Sequence, residues 1–403
     1  MEIPTIVDLF CGAGGLSSGF QQAGFRVVRA VDSWSPAVET YRHNLGEHVE
    51  QAEITEQIDF PGSTVIAGGP PCQGFSSAGR RRHDDERNSL VTVFGRLVAR
   101  YRPKAFVFEN VEGFLTGADG RFVIELLEPI LEAGYHVHLR KINAANYGVP
   151  QHRKRVLAVG GLGWSPRFPE ATHTAHGAPG SNLGGTGLPL TPSLGETLAG
   201  LPSPLAEALA KMTEHEGRLL EGIDLARAEI LKPGQRMRDL PENLQHKSYK
   251  RRAFRRVMDG TPTERRGGAP AGLRRLAPDE PSKAITGGAL RDFLHPVEHR
   301  TLTLRECARL QTFPDAWLFS GSKAERIQLI GNAVPPMLAY RVAVCLLDDL
   351  RQQPVAESSF GKLLTFIPTL SEGMSPALDA VQRMVLSRFG ARRPRAAQGV
   401  LWD

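Results

Sequence analysis

Apolar positions along the first 160 residues fall into two alternating periods. Short runs, TIVDLF (5–10), RVVRAVD (26–32), STVIAG (63–68), AFVFEN (105–110) and RVLAVGG (155–161), are rich in Val, Ile and Phe, the composition of buried strands. Between them, 35–44, 88–101 and 121–133 have helical length and spacing. Strands alternating with helices predict an α/β domain, a doubly wound and mostly parallel sheet with helices on both faces. In such sheets ligands gather at the carboxyl ends of the strands. Gly12–Gly15 follows the first run, Asp32 ends the second, Pro70–Cys72 follows the third and Glu109-Asn110 closes the fourth. One cleft at that edge is the consequence.

After residue 161 the texture changes. PEATHTAHGAPGSNLGGTGLPLTPS (169–193) has the composition of a loop or linker, and MDGTPTERRGGAPAG (258–272) repeats the Gly/Pro punctuation. Helical pattern returns in TLRECARLQTF (303–313), where Thr303 and Glu306 form a capping-box spacing. In AVPPMLAYRVAVCLLDDL (333–350), prolines at the first turn and Leu338, Val342 and Leu346 at i, i+4 and i+8 mark a helix with a buried face.

Composition adds little to this picture, since 41% hydrophobic and 23% charged residues are ordinary for a soluble globular chain. No apolar run reads as long enough to span a bilayer, and MEIPTIVDLF lacks a basic leader, so a cytoplasmic protein without a membrane partner is expected. The four cysteines, Cys11, Cys72, Cys307 and Cys345, are scattered without metal-ligand spacing, which argues for no metal site and no disulfide framework. Charge changes the picture more. The net +6 is concentrated between Lys232 and Arg300, where 16 basic residues face 8 acidic ones, leaving the rest of the chain slightly negative. Its densest part, KSYKRRAFRR (247–256), interleaves Tyr249 and Phe254 with six cations, the footprint of a polyanion-binding surface.

Candidate chemistry lies at the sheet edge. DLFCGAGG (8–15) is a glycine turn leading into a helix, but the third glycine of a pyrophosphate fingerprint is Ser17 here, which disfavours a nicotinamide dehydrogenase. An adenosyl-type ligand remains, with Asp32 placed to accept hydrogen bonds from a ribose diol. Cys72, behind two prolines, sits on a stiff irregular turn suited to presenting a thiol, or alternatively to burying it. Glu109 at the rim of an apolar cleft suits a proton donor, or else pairs with a nearby arginine. Arg153 and Arg155, two apart before a strand, can point to one side and direct guanidinium donors into the cleft. Thiol, carboxyl, arginines and adenosyl pocket together suit covalent activation of an electron-poor ring followed by group transfer.

Taken in order, DLFCGAGGLSSGF (8–20), the acid of AVDSW (30–34), AEIT (52–55), GGPPCQGFS (68–76), ENVEGF (109–114), QHRKR (151–155), RECARLQTFPD (305–315) and GNAVPP (331–336) closely resemble the motifs of the bacterial DNA (cytosine-5)-methyltransferases. The resemblance implies a Rossmann-like catalytic domain over 1–200, a smaller inserted target-recognition domain over 201–324, a returning C-terminal helix over 325–352 and an extension over 353–403. It implies S-adenosyl-L-methionine as cofactor, S-adenosyl-L-homocysteine as product and double-stranded DNA as partner. A monomer and a cognate restriction endonuclease acting on the same site go with it.

Carried over residue by residue, the resemblance makes Cys72 the nucleophile at carbon-6 of cytosine. Glu109 holds and protonates the N3 edge, and Arg155 and Arg153 support the activated base. Phe10, Gly12, Gly14, Leu16, Asp32, Ser33, Glu53, Ile54, Pro70, Asn332 and Val334 fall at cofactor positions. Ser33 stands where the family often has an aromatic, with Trp34 one place later. Pro71, Gln73, Ser76, Asn110, Arg251, Arg252, Arg255 and Arg256 fall on the substrate side, Asn110 more as a brace for the Cys72 loop, and 76–89 is the loop that closes over DNA. The target base must leave the duplex to be attacked from above its plane, at a cost of a few kcal/mol. A transfer-RNA cytosine-5 methyltransferase shares Pro-Pro-Cys and Glu-Asn-Val and is the alternative; the long basic insert favours duplex DNA.

Overall fold

The computed structural model describes residues 2–71, 89–116, 120–205, 214–247, 272–352, 364–366 and 376–389. Its first half alternates strands and helices: β1 (Thr5–Leu9), α1 (Gly15–Gln22), β2 (Arg26–Asp32), α2 (Ser35–Leu45), β3 (Val49–Gln51), β4 (Val65–Gly68), α3 (Ser89–Tyr101), β5 (Ala105–Val111), α4 (Gly113–Thr116), α5 (Arg121–Glu132), β6 (Tyr135–Asn143), β7 (Gln151–His152) and β8 (Lys154–Leu162). The second half adds α6 (Leu194–Leu198), α7 (Gly222–Ile230), β9 (Arg274–Arg275), β10 (Ser282–Lys283), α8 (Ala289–Asp292), β11 (Phe293–Leu294), α9 (Leu304–Leu310), α10 (Lys323–Asn332), α11 (Pro336–Arg351), β12 (Leu364–Phe366) and α12 (Pro376–Phe389).

Eight strands form one sheet in the order β12-β6-β8-β5-β4-β1-β2-β3. All run parallel except β8, which is antiparallel to both β5 and β6. Side-chain alternation along each strand divides the core between two faces. Val7, Leu9, Ile66, Phe106, Phe108, Val156 and Ala158 pack with α3 and α5. Ile6, Val65, Ala67, Ala105, Val107, Leu157 and Val159 pack with Leu16 and Phe20 of α1 and Leu338, Val342 and Leu346 of α11. The strand β6 was not legible in the apolar pattern, because YHVHLRKIN carries four basic or imidazole side chains. Its place beside β8 is set by the hairpin-like return of the chain instead.

The Gly/Pro-rich stretch 169–193 is irregular, as its composition predicts, yet it is clamped in place. Asn146 donates to the carbonyls of His173 and Ser181, and Thr191 Oγ1 donates to Ala145. The capping box at Thr303 and Glu306 is present at the start of α9. The expectation that no apolar run could span a bilayer meets one exception, since Lys323–Arg351 has the length and composition of a membrane span. It is two helices, α10 and α11, separated by Ala333–Pro335, and the apolar face of α11 is used against α1.

Beyond the sheet, Leu276, Ile285, Phe293, Leu304, Leu310 and Ile330 join Ala13 and Ala37 in one core. A smaller cluster of Ala228, Leu231, Met237, Leu240 and Leu294 stands apart. The buried Arg275 organises it, donating to the carbonyls of Leu231, Ala228, His295 and Glu298.

The seam between α1 and α11 is so close that only glycine fits at Gly19. A Cβ there would lie 2.5 Å from the Pro336 carbonyl oxygen and from the Tyr340 nitrogen, both backbone atoms. Gly19→Ala should therefore lower the unfolding free energy by about 1–3 kcal/mol in urea titrations, although alanine is favoured over glycine in helices by about 1 kcal/mol. A stabilised variant would show that the seam yields freely.

Candidate active site

Where the parallel strands end, the chain leaves β1 through a strained turn. Phe10 has φ 62°, a left-handed value uncommon for a non-glycine residue. Gly12 and Gly14 follow at φ 52° and 81°. This places the start of α1 against the turn after α10, where a Cβ on Gly15 would meet the Val334 carbonyl oxygen at 2.1 Å. Between these two segments and the ends of β2, β4 and β5 lies a cavity of about 820 Å³.

Most of the residues assigned to the cofactor line it: Phe10, Gly12, Leu16, Asp32, Ser33, Glu53, Ile54, Pro70, Asn332 and Val334. Gly14 departs from the expectation. It caps α1 from outside the cavity, facing Leu45, Tyr41 and Trp317. Of the residues assigned to the base, Pro71, Glu109, Asn110 and Arg155 line the same cavity. Cys72, Gln73, Ser76, Arg251, Arg252, Arg255, Arg256 and the 76–88 stretch of the closing loop lie outside the described residues.

Glu109 and Arg155 meet because β8 is reversed. Glu109 is opposite Leu157 and Val111 is opposite Arg155, so the two side chains are diagonal neighbours on one face. Arg155 Nε lies 2.8 Å from Glu109 Oε1, with both side chains largely buried. The arginine pairing left open for Glu109 is present, and it orients the same carboxyl that a proton donor would use. Asn110, on the opposite face, donates from Nδ2 to the Pro70 carbonyl at 3.3 Å. Its amide thus ties β5 to the turn that carries Pro71.

Arg153 corrects the expectation that both arginines serve the cleft. Its guanidinium is fully buried and points away, donating to the carbonyls of Ile285, Gly331 and Ala333, each at 2.9 Å. The irregular start of β8 breaks the simple alternation, so residues two apart do not share a direction.

Asp32 accepts from the backbone N–H groups of Gly12 and Trp34, both at 2.9 Å, and burial raises its pKa above the usual carboxylate value. Trp34 lines the cavity beside Ser33, and Thr55, Thr286, Gly287, Gln328 and Leu329 add to the wall; the last four had no sequence signal. Asp8 was also missed, hidden inside an apolar strand. Its Oδ2 accepts from Ser17 Oγ at 2.6 Å, Ser17 Oγ accepts from Tyr41 at 2.9 Å, and Tyr41 lies 3.0 Å from His48 Nε2. The other oxygen, Oδ1, is buried without a hydrogen-bond partner among the described residues, and Asp8 lines the cavity. Burial pushes its pKa up to about 7. One buried and one half-buried carboxyl lining one cavity suit a ligand with cationic groups and a diol, which S-adenosyl-L-methionine has.

A mostly parallel sheet with one reversed strand, holding an acid and an arginine beside a glycine-turn cavity, defines a Rossmann-like methyltransferase architecture. The model of the C-5 cytosine-specific DNA methylases matches residues 4–347, and the chain belongs to that family. It is 34% identical over 356 residues to the Type II methyltransferase M1.HphI of Haemophilus parahaemolyticus, covering 85% of this chain and 86% of that protein. Type II methyltransferase M.AgeI of Thalassovita gelatinovora is 31% identical, over 84% of this chain and 97% of its own. Among solved structures, a DNA modification methyltransferase of an E. coli prophage superposes with TM-score 0.63 at 24% identity, covering 86% of this chain and 99% of its own. Dnmt2 of S. pombe shares the fold at TM-score 0.52 and 16% identity, over 86% and 99%.

Because the fold raises the Asp8 pKa from an ordinary 3.8 to about 7, the protonated acid is the form the fold favours. Its contribution to stability is complete below pH 4 and is lost as pH rises through 7, with a slope approaching ~1.4 kcal/mol per pH unit in that window. In ligand-free protein, Asp8→Asn should flatten the decline in unfolding free energy between pH 4 and 7. An unchanged pH profile would contradict the assignment.

Proposed function

We propose that this chain is the modification methyltransferase of a Type II restriction-modification system in the bacterial cytoplasm, methylating carbon-5 of a cytosine flipped from double-stranded DNA. The observation that carries the reading is the Glu109–Arg155 pair at the mouth of the strand-end cavity. The named Type II relatives, which align over most of this chain, support the DNA substrate over transfer RNA.

The cavity's own chemistry fits the cofactor. Asp32 is at the end of β2 for a ribose diol, Trp34 and Ile54 offer apolar surface for an adenine, and Asp8 offers a carboxyl oxygen without a hydrogen-bond partner among the described residues. When bound there, S-adenosyl-L-methionine supplies an electrophilic methyl group. Cys72, from the turn beginning at Pro70-Pro71, adds its sulfur to carbon-6 of the cytosine and breaks the C5–C6 π bond. The electron pair is delocalised toward N3, where Glu109 donates a proton and Arg155 holds the carboxyl in place. Carbon-5 becomes nucleophilic. Once the methyl group is on carbon-5 and S-adenosyl-L-homocysteine is left, the carbon-5 proton passes to solvent, the thiolate departs and N3 returns its proton to Glu109, which restores the aromatic ring. Asn110 positions the Cys72 turn through the Pro70 carbonyl.

Residues 201–324 carry the recognition function, with KSYKRRAFRR supplying phosphate contacts. Binding then weakens steeply with salt.

Cys72→Ala and Cys72→Ser should abolish incorporation of labelled methyl into DNA while binding of S-adenosyl-L-homocysteine, followed by calorimetry, stays near wild type. Turnover at the wild-type rate in either variant sinks the mechanism. Glu109→Gln should lose about 10²- to 10⁴-fold in kcat, the range of one general acid. Bisulfite sequencing of DNA from expressing cells reads the methylated position and its context. Unprotected cytosines throughout, from active protein, would overturn the function.

A further inference from the structure

Three fully buried side chains, Gln151, Arg153 and Gln311, lie where the catalytic sheet meets the second half of the chain. Gln151 Nε2 donates to the Leu310 carbonyl at 2.6 Å and to Gln311 Oε1 at 2.8 Å, while its Oε1 accepts from the Ile285 N–H at 3.0 Å. Arg153 donates to the carbonyls of Ile285, Gly331 and Ala333. Gln311 Nε2 donates to the Ile330 carbonyl. Ile285 is therefore held at both its N–H and its C=O by side chains from 151–153.

The consequence lies in what adjoins each fixed point. Immediately before Ile285, β10 pairs with β7 in parallel, Ser282 opposite Gln151 and Lys283 opposite His152. Immediately after it, Thr286 and Gly287 form part of the cavity wall. They press so closely on α10 that a Cβ on Gly331 would lie 2.5 Å from the Thr286 carbonyl carbon. Two residues after Arg153, Arg155 meets Glu109. One buried junction thus joins the strand that carries the catalytic arginine, the turn Gly331–Val334 at the cofactor cavity and the 282–287 segment. Breaking one bond strands a buried carbonyl, so these parts shift together or not at all.

We infer that Gln151, Arg153 and Gln311 are positioning residues that couple occupancy of the cofactor cavity to engagement of DNA by the 201–324 region. The inference rests on the function proposed above. A ligand that fixes Thr286-Gly287 and Asn332 on the cavity side fixes β10 on the other, and reciprocity requires DNA to tighten cofactor binding by the same factor.

The test is a binding cycle. Dissociation constants of S-adenosyl-L-homocysteine are measured with and without sheared, unmethylated plasmid DNA, and those of the DNA with and without S-adenosyl-L-homocysteine. Wild-type protein should show reciprocal tightening of about tenfold, within the usual range for coupled sites. Arg153→Lys, which keeps the charge but not the three-carbonyl geometry, should reduce it to within about twofold of none, with kcat falling more than the KM for DNA. Gln311→Met, which loosens the same junction from the residue capping α9, should move the coupling in the same direction and decides the matter if Arg153→Lys does not fold. Leu346→Ala, a core truncation in α11 away from the junction, controls for lost stability and should keep the wild-type factor. Wild-type coupling in a folded junction variant, no coupling in the wild type, or equal loss in Leu346→Ala overturns the inference. Labelled-methyl transfer to the same DNA keeps the two readings apart: DNA labelled by wild type with coupling unaltered in the variants sinks the coupling alone, whereas no labelling by wild type sinks the proposed function.

Discussion

The reversal of β8 is the constraint on which the site depends. Were β8 parallel to β5, the carboxyl end of β5 would face the far end of β8, and Arg155 would lie a full strand length from Glu109. The antiparallel register instead sets Arg155 opposite Val111 and diagonal to Glu109. Two charged groups can stay buried there because each is the other's nearest compensation, and leaving either alone would cost several kcal/mol. Asn110, one residue on and on the other face, fixes the neighbouring turn, so a single strand end positions both the acid and the loop leading to Cys72.

Around that pair the fold places structural necessity and function in adjacent residues. Gly15 and Gly19 let α1 approach the 331–340 segment, and that approach closes the cavity as well as the core. Asp8 and Asp32 stand in the same enclosure at the ends of neighbouring strands. One has both oxygens engaged by backbone N–H groups, and the other keeps an oxygen without a partner among the described residues. Arg153 and Arg155, two residues apart, divide the same chemistry: one guanidinium binds carbonyls to hold the halves of the chain together, and the other serves a carboxylate at the cavity.

Much of this was legible in the chain itself. Alternating apolar runs marked five of the strands and the order of strand-end residues because buried parallel strands must be apolar on both faces. Gly12, Asp32 and Glu109 stand in short motifs whose residue types carry the chemistry, Pro70 and Asn332 came through the family resemblance, and these five line one cavity. Asp8 was not found, since a carboxyl inside TIVDL reads as part of a strand. Thr286, Gly287 and Gln328 were not found either, since they reach the cavity from the second half of the chain and have no local pattern that says so.

Sequence by itself determined the fold class, because periodicity is a local property, and its motifs carried the family resemblance and named the candidate groups. Only the tertiary structure decided what each group faces. It turned Arg153 from the cleft into a junction, set Gly14 outside the cavity, paired Glu109 with Arg155 and brought 285–287 against 331. Direction and partner depend on strand register and on contacts between distant segments, and spacing along the chain does not encode either.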